Sequence, residues 1–366
     1  MLVYLLEPYL TDSHKYWANN FIKHSSHAIQ IFSLPGKHWK WRMHGAAITL
    51  AESIKSLPKP SSILVSEMCN VSTLKALLPK KWTDVRIVVY FHENQITFPW
   101  SASDSDIKKN RNNHYGFINY TSCLSSDAVI FNSNFHKEDF LGALPLFLKQ
   151  FPDNLNLESI SQIEKKSTVI PIGIDTNSRI NQSKWKIGVP RILWNHRWEN
   201  DKSPTEFFQT LFELKKDGLK FELVVLGRKS ENYPEVFNQA EEILKSEIIH
   251  FGFCDSLKEY KTLVESCHLI PVTSYQDYFG ISALEAVSNG VYPLLPNRLA
   301  FPEHFSGKSH IYESSIDLKE RLKSFLNNWS QEKNELKAKT EGFIQEIESK
   351  YNWKKIAKTL DSELSN

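Results

Sequence analysis

Two cations and a glycine-led turn in the second half of the chain have the types and spacing to handle a diphosphate. Arg197 and Lys202 lie in His196-Arg-Trp-Glu-Asn-Asp-Lys202, directly after the strand-like run Arg191-Ile-Leu-Trp194. At a strand end they can clamp an anionic leaving group, Arg197 as a planar fork and Lys202 as a point charge. Further on, Ser274-Tyr-Gln-Asp-Tyr-Phe-Gly-Ile-Ser-Ala-Leu-Glu-Ala286 follows His268-Leu-Ile-Pro-Val-Thr273 and leads into Val287-Ser-Asn-Gly290. That order predicts a strand, a glycine turn and a short helix, with Gly290 as the left-handed residue past its end. A helix starting at Gly280 or Ile281 directs N–H groups and its positive dipole end at a ligand. The backbone of Phe279, Gly280 and Ile281 can then approach a diphosphate. Ile281, Leu284 and Val287 share the apolar face, and Ser282, Glu285 and Asn289 the polar one, so Glu285 can reach a ligand hydroxyl. Singly, these residues also fit a pair of solvated cations and a solvated glutamate. Their coincidence in one domain favours a diphosphate.

The first half carries a second set. His92-Glu93-Asn94-Gln95 ends the run Arg86-Ile-Val-Val-Tyr-Phe91, which puts four hydrogen-bonding residues at a carboxyl strand end. A histidine alone there fits a structural role; the cluster points to a site. Glu7-Pro-Tyr-Leu-Thr-Asp12-Ser13-His14 follows the first strand, and Thr11, Asp12 or Ser13 can cap the next helix. It is not a G-x-G-x-x-G, which disfavours a dinucleotide-binding first domain and a nicotinamide dehydrogenase. Lys37, Trp39, Lys40, Trp41 and Arg42 form one basic loop with aromatics, and Lys108, Lys109, Arg111, His114 and Tyr115 a second. Cations for phosphates and rings for bases are a nucleic-acid pattern, although either loop alone also reads as solvated surface. Asp104-Ser-Asp106 has metal–diphosphate spacing but sits in a polar, serine-rich loop, which argues against a metal.

These residues must be carried on repeated strand–helix units. Strands are expected at 2–7, 28–33, 62–66, 86–91, 127–131 and 168–170, with helices at 13–23, 45–56, 71–78, 113–125 and 134–149. After a polar linker running to Gly188-Val-Pro190, strands recur near 191–194, 221–226, 248–251, 269–273 and 291–295. Helices are expected there near 205–216, 234–245, 256–266 and 281–288, before a polar helical tail. The alternation predicts two α/β, doubly wound parallel sheets, whose ligands lie at the carboxyl ends of the strands. The 366 residues suffice for two domains, and 44 Lys+Arg against 42 Asp+Glu leave a net charge of only +2. A nucleic-acid partner must therefore be read from local patches. Cys69, Cys123, Cys254 and Cys267 have no zinc spacing and read as free thiols of a reducing cytoplasm. No run approaches the ~20 apolar residues of a membrane span.

Asp277 to Glu285 resembles the E-x7-E region of retaining glycosyltransferases with the GT-B fold. Phe279-Gly280 and Glu285-Ala286 match, and Asp277 replaces the first glutamate. Arg197 and Lys202 resemble that family's diphosphate pair, and Val169-Ile-Pro-Ile-Gly-Ile-Asp175 its interdomain segment. A closer resemblance covers most of the chain. Leu34-Pro-Gly-Lys-His-Trp-Lys-Trp-Arg42, Phe91-His-Glu-Asn-Gln95, Val129-Ile-Phe-Asn-Ser133, Trp194-Asn-His-Arg-Trp-Glu-Asn-Asp-Lys202, Tyr292-Pro-Leu-Leu-Pro296 and Phe301-Pro-Glu303 resemble the tRNA-queuosine α-mannosyltransferase family. Thr11-Asp12 stand where glycines are expected.

The resemblance implies two Rossmann-like domains whose parallel sheets face each other across a crevice. The acceptor-side domain would span 1–178 and the nucleotide-sugar domain 186–338, with 339–366 a helix crossing back. The implied reaction is retaining transfer of mannose from GDP-mannose to the queuosine cyclopentenediol of an aspartate tRNA. Arg197, Lys202 and the N–H groups at Phe279, Gly280 and Ile281 would hold the diphosphate, Glu285 the ribose, and Asp277 the sugar or its phosphate. His92 would lie near the anomeric centre. His14, Lys37, Trp39, Lys40, Trp41, Arg42, Glu93, Asn94, Gln95 and Arg111 would meet the acceptor. The implied partners are a nucleotide sugar and queuosine-containing tRNA, with no metal, no other cofactor and no membrane, in the cytoplasm. A glycosyltransferase of this fold for another sugar or a lipid acceptor stays open, as does a catalytically silent RNA-binding homologue.

Overall fold

A computed structural model describes residues 1–100, 104–109, 111–176, 183–186, 188–230 and 232–366. Residues 177–182 and 187 of the expected linker, and with them the expected domain end at 178, lie outside the described residues. The chain divides into two compact units, one of Met1–Gly173 with Trp353–Asn366 and one of Ile174–Asn352.

The first unit runs β1 (Leu2–Leu10), α1 (Asp12–His24), β2 (Ala28–Pro35), α2 (Trp39–Ile54), β3 (Ser62–Ser66), α3 (Val71–Leu77), β4 (Arg86–Phe91), α4 (Ser105–Lys108), α5 (Asn113–Ser125), β5 (Ala128–Phe131), α6 (Asn134–Leu148), α7 (Ser159–Lys165) and β6 (Ser167–Val169). All pairings are parallel, in the order β2-β1-β3-β4-β5-β6. Strands covered on both faces read as continuous apolar runs, as in β3, β4 and β5, where Ile63, Leu64, Val65, Val88, Val89 and Ile130 are fully buried. The order reverses between β1 and β3, so the carboxyl ends of those two strands flank the switch point where such sheets receive ligands.

Helix α2 begins at Trp39 rather than at residue 45. What reads as a basic loop is therefore the first turn of a helix. Its Trp39 packs against Trp100 and Tyr115, with ring centroids 5.6 and 5.0 Å away. That aromatic packing anchors a turn whose local sequence carries no capping residue, for His38 caps it in the left-handed region with no side-chain bond.

The second unit contains β7 (Arg191–Trp194), α8 (Pro204–Lys216), β8 (Glu222–Leu226), α9 (Val236–Ile243), β9 (Ile248–Gly252), α10 (Leu257–Ser266), β10 (Leu269–Pro271), α11 (Ile281–Ser288), β11 (Tyr292–Pro296), β12 (Ile311–Tyr312), α12 (Ser315–Asn327) and α13 (Trp329–Tyr351). Its parallel sheet has the order β12-β11-β10-β7-β8-β9, with the reversal between β7 and β10. Helix α13 stays with this unit along its length, burying Leu336, Phe343, Ile347 and Tyr351. The return to the first unit comes only with α14 (Trp353–Ser365), rather than at residue 339.

Candidate active site

At the switch point of the second sheet, β7 ends at Trp194 and leads into Asn195-His196, and β10 runs out toward the turn before α11. Lys202 is folded inward, its side chain 13% exposed, 3.2 Å from both Asp201 and Asp277. Its ammonium also donates to the Gln276 carbonyl at 2.7 Å. Burial opposes its charge, but Asp277 and Asp201 outweigh burial and raise its pKa. Burial likewise works to raise Asp277, yet Lys202, His196 and the Gly280 N–H hold its carboxyl below the usual range.

Asp277 is where the structure departs most from expectation. Its Oδ1 accepts from the Gly280 N–H at 2.6 Å and is approached by the Phe279 N–H at 3.4 Å. The carboxylate caps the turn, and the Gly280 N–H is bonded to it. The first-turn groups of Ile281 and Ser282, which have no carbonyl of their own helix to bind, are the donors left for an anion. Gly280 is required by the turn itself. Its φ is +76°, and a Cβ there would stand 2.6 Å from the Phe301 ring.

Residues that sequence spacing does not single out hold this turn. The ring of His196, neutral because burial lowers its pKa to about 4, puts Nδ1 2.9 Å from Ser282 Oγ. Asn195 donates to the Ser282 carbonyl at 2.9 Å. Arg298 donates to the carbonyls of Thr273 and Ser274 at 2.8 and 3.0 Å. His304 Nε2 lies 2.7 Å from the Phe279 carbonyl. The one sequence signal for any of them is the position of Asn195 and His196 just past a strand. Arg197 is two-thirds exposed and 3.2 Å from Glu199, at the surface of the same loop. Glu285 is half-buried on the polar face of α11. Burial first, then Asp175, push its pKa up to about 7, with Lys261 pulling the other way.

At the switch point of the first sheet lies a cluster of buried acids and imidazoles. Glu7 of β1 is fully buried, and its Oε1 accepts from Ser66 Oγ and the Tyr9 N–H, each at 2.9 Å. Its Oε2 is 3.2 Å from His14 Nδ1. The rings of His14 and His92 lie 4.2 Å apart at 30°. Glu67, next after β3, accepts from the N–H groups of His92 and Glu93 at 3.1 and 3.3 Å. Burial raises the Glu67 carboxyl to about 8, Glu93 and Glu7 adding to the rise and His14 opposing it. His92 is held neutral by burial, and by His14 and His136 beside it. Glu67 and His136 carry no signal in the sequence.

Several expected acceptor contacts find other employment. His14 is buried against Glu7 and does not face outward. Asn94 is fully buried and spends its amide on the following turn, accepting from the Ile96 and Thr97 N–H groups and donating to Thr97 Oγ1. Gln95 is buried and donates to Glu93. Trp39 belongs to the aromatic packing above. Lys40 is bonded to both Asp104 and Asp106 at 2.6 Å, which ties its ammonium to these two aspartates. Lys37 and Arg111 are exposed, Arg42 is half-exposed, and Trp41 is 63% exposed.

Comparison with known proteins agrees with this geometry. Residues 2–174 match a family described as tRNA-queuosine alpha-mannosyltransferase N-terminal, and residues 175–342 one described as glycosyl transferases group 1. A tRNA-queuosine alpha-mannosyltransferase of Drosophila melanogaster is 31% identical over 333 residues, 88% of this chain and 86% of that protein. The Candida albicans trehalose-6-phosphate phosphatase N-terminal domain superposes with TM-score 0.70 at 14% identity, covering 100% of this chain and 96% of that one. Sucrose-phosphate synthase from Thermosynechococcus elongatus gives 0.70 at 10% identity, covering 99% and 98%. These structures share the fold, which is GT-B, with two parallel six-stranded sheets. The chain belongs to the tRNA-queuosine alpha-mannosyltransferase family.

Proposed function

We propose that this glycosyltransferase moves mannose from GDP-mannose to the cyclopentenediol of queuosine in an aspartate tRNA, with retention at the anomeric carbon. The observation that carries the donor half is Lys202, an ammonium set beside the first turn of α11 at the switch point of the second sheet. Negative charge grows on the diphosphate as the glycosidic C–O bond breaks. Donors aimed there act more on the transition state than on the ground state. Lys202, Arg197 and the N–H groups of Ile281 and Ser282 are those donors. Glu285 accepts from the nucleotide ribose. Asp277 acts through Lys202 and the Gly280 turn. His92 orients the sugar or the acceptor, and the departing phosphate oxygen takes the acceptor's proton.

The tRNA is met by Trp41, Arg42, Lys37 and Arg111 of the first unit. No helix among the described residues is long and apolar enough to cross a membrane. We also propose that no metal takes part. The test is mass spectrometry of nucleosides from queuosine-containing tRNA incubated with the protein and a panel of nucleotide sugars. The expected product is queuosine heavier by one hexose, formed with GDP-mannose and unaffected by a chelator. GDP binding without sugar turnover would favour a silent RNA-binding protein, and transfer from another donor would correct the sugar.

A further inference from the structure

We infer that Glu7 and His14 are positioning residues: a buried ion pair that fixes the ring of His92 and keeps it a neutral hydrogen-bonding group. The inference rests on the proposed role of His92 and extends it inward to two residues that do not touch substrate. Glu7 is fully buried and immobilised through Oε1 by Ser66 and the Tyr9 N–H, which leaves Oε2 aimed at His14 Nδ1 at 3.2 Å. His14 is 6% exposed and lies against the face of His92. On its other sides His92 meets Trp17 edge-on at 4.9 Å and Tyr90 at 4.8 Å. Its backbone is tied to Glu67 and its carbonyl accepts from Asn132 at 2.9 Å. The Nε2 atom of His92 is buried, with no hydrogen-bond partner among the described residues. A ring so enclosed has little freedom except through the groups that enclose it.

Charge explains why the pair matters. Burial works against a cation at His14, but Glu7, with Glu67 and Glu93 beyond it, outweighs burial and raises its pKa to about 9. His14 is therefore the imidazolium and His92, stacked on it, the imidazole. A neutral ring can accept or donate at Nε2 according to its tautomer, whereas a charged ring can only donate. The cationic form of His14 is present below about pH 9 and is lost as pH rises through that value. Removing the Glu7 charge moves that loss to lower pH.

The test is imidazole nitrogen NMR on Glu7→Gln and His14→Gln proteins, alongside kcat and KM against pH. In the wild type, His14 is expected to stay protonated through neutral pH, and His92 to stay neutral in one tautomer. In Glu7→Gln, His14 should lose its proton at lower pH than in the wild type and His92 its single tautomer. Turnover should fall thirty- to a hundredfold with the donor KM within twofold, and its alkaline limb should shift to lower pH. If Glu7→Gln does not fold, His14→Gln carries the same expectation for His92. An unchanged His92 tautomer and unchanged kcat in a folded variant would overturn the inference. So would recovery of activity on adding a divalent metal, which would make Glu7, His14 and His92 a metal site. The NMR readout needs no substrate, so failure of the wild type to modify tRNA would reject the proposed function and leave the pair to be judged by its spectra.

Discussion

Trp41 has its indole over Gly45, where a Cβ would stand 2.7 Å from ring atom Cζ2. One face of the ring is set against the backbone of α2, and the side chain is still 63% exposed. Such a ring is pre-placed for a splayed base, because stacking needs a flat face and little reorganisation. Trp41→Ala should weaken tRNA binding by about 1–3 kcal/mol at every salt concentration. Arg42→Ala should instead flatten the salt dependence by roughly 0.7–0.9 logarithmic units per decade, the share of one neutralised phosphate. Lys40→Ala should leave that slope alone, since its charge is already met by Asp104 and Asp106. Affinities titrated at several salt concentrations decide this, and a Trp41→Ala protein of wild-type affinity would remove the stacking role of this ring.

The first turn of α11 and the segment leading into it draw on residues from four other places in the unit: Asp277, Asn195 with His196, Arg298 and His304. Gly280→Ala would put a Cβ on a left-handed residue, costing about 1–2 kcal/mol, and would press it against Phe301. The expected outcome is a lower melting temperature for the second unit and at least a tenfold weaker affinity for GDP by calorimetry. Undiminished GDP affinity would mean that the turn does not bind the diphosphate. The strands other than β12 were legible because each is a short apolar run between turn residues, whereas the two residues of β12 are too few to show such a run. The helix at α11 was legible because Gly280 and Gly290 bracket it. Both glycines are left-handed, at φ 76° and 86°. Illegible were partnerships across long sequence separations. Nothing local says that Lys40 will meet Asp104, or that His14 will turn inward to Glu7 instead of outward to an acceptor. The helical start of α2 was hidden for the same reason, since Trp100 and Tyr115 supply its packing.

At the scale of the whole molecule, the chain closes the first unit with its last element. Helix α14 buries Trp353, Ile356, Ala357, Leu360 and Leu364. Asp361 accepts from the Ser26 N–H at 2.7 Å, Arg86 pairs with Glu363 at 2.8 Å, and Trp353 stacks on His24 at 6.1 Å. The four large apolar side chains alone, at about 1.5–3 kcal/mol each, represent roughly 6–12 kcal/mol of burial as an upper estimate. That is as large as the whole stability of a typical domain, about 5–15 kcal/mol. A chain ending at Asn352 should therefore lose the first unit as a folded body, and tRNA binding and transfer with it. The second unit keeps every element of its sheet, and α13 ends within it, so GDP binding should survive within a few-fold. Calorimetric melting should show one transition abolished or moved to low temperature and one retained. A truncated protein that binds tRNA as tightly as the full chain would show that the first sheet stands without α14, and that its burial there is redundant.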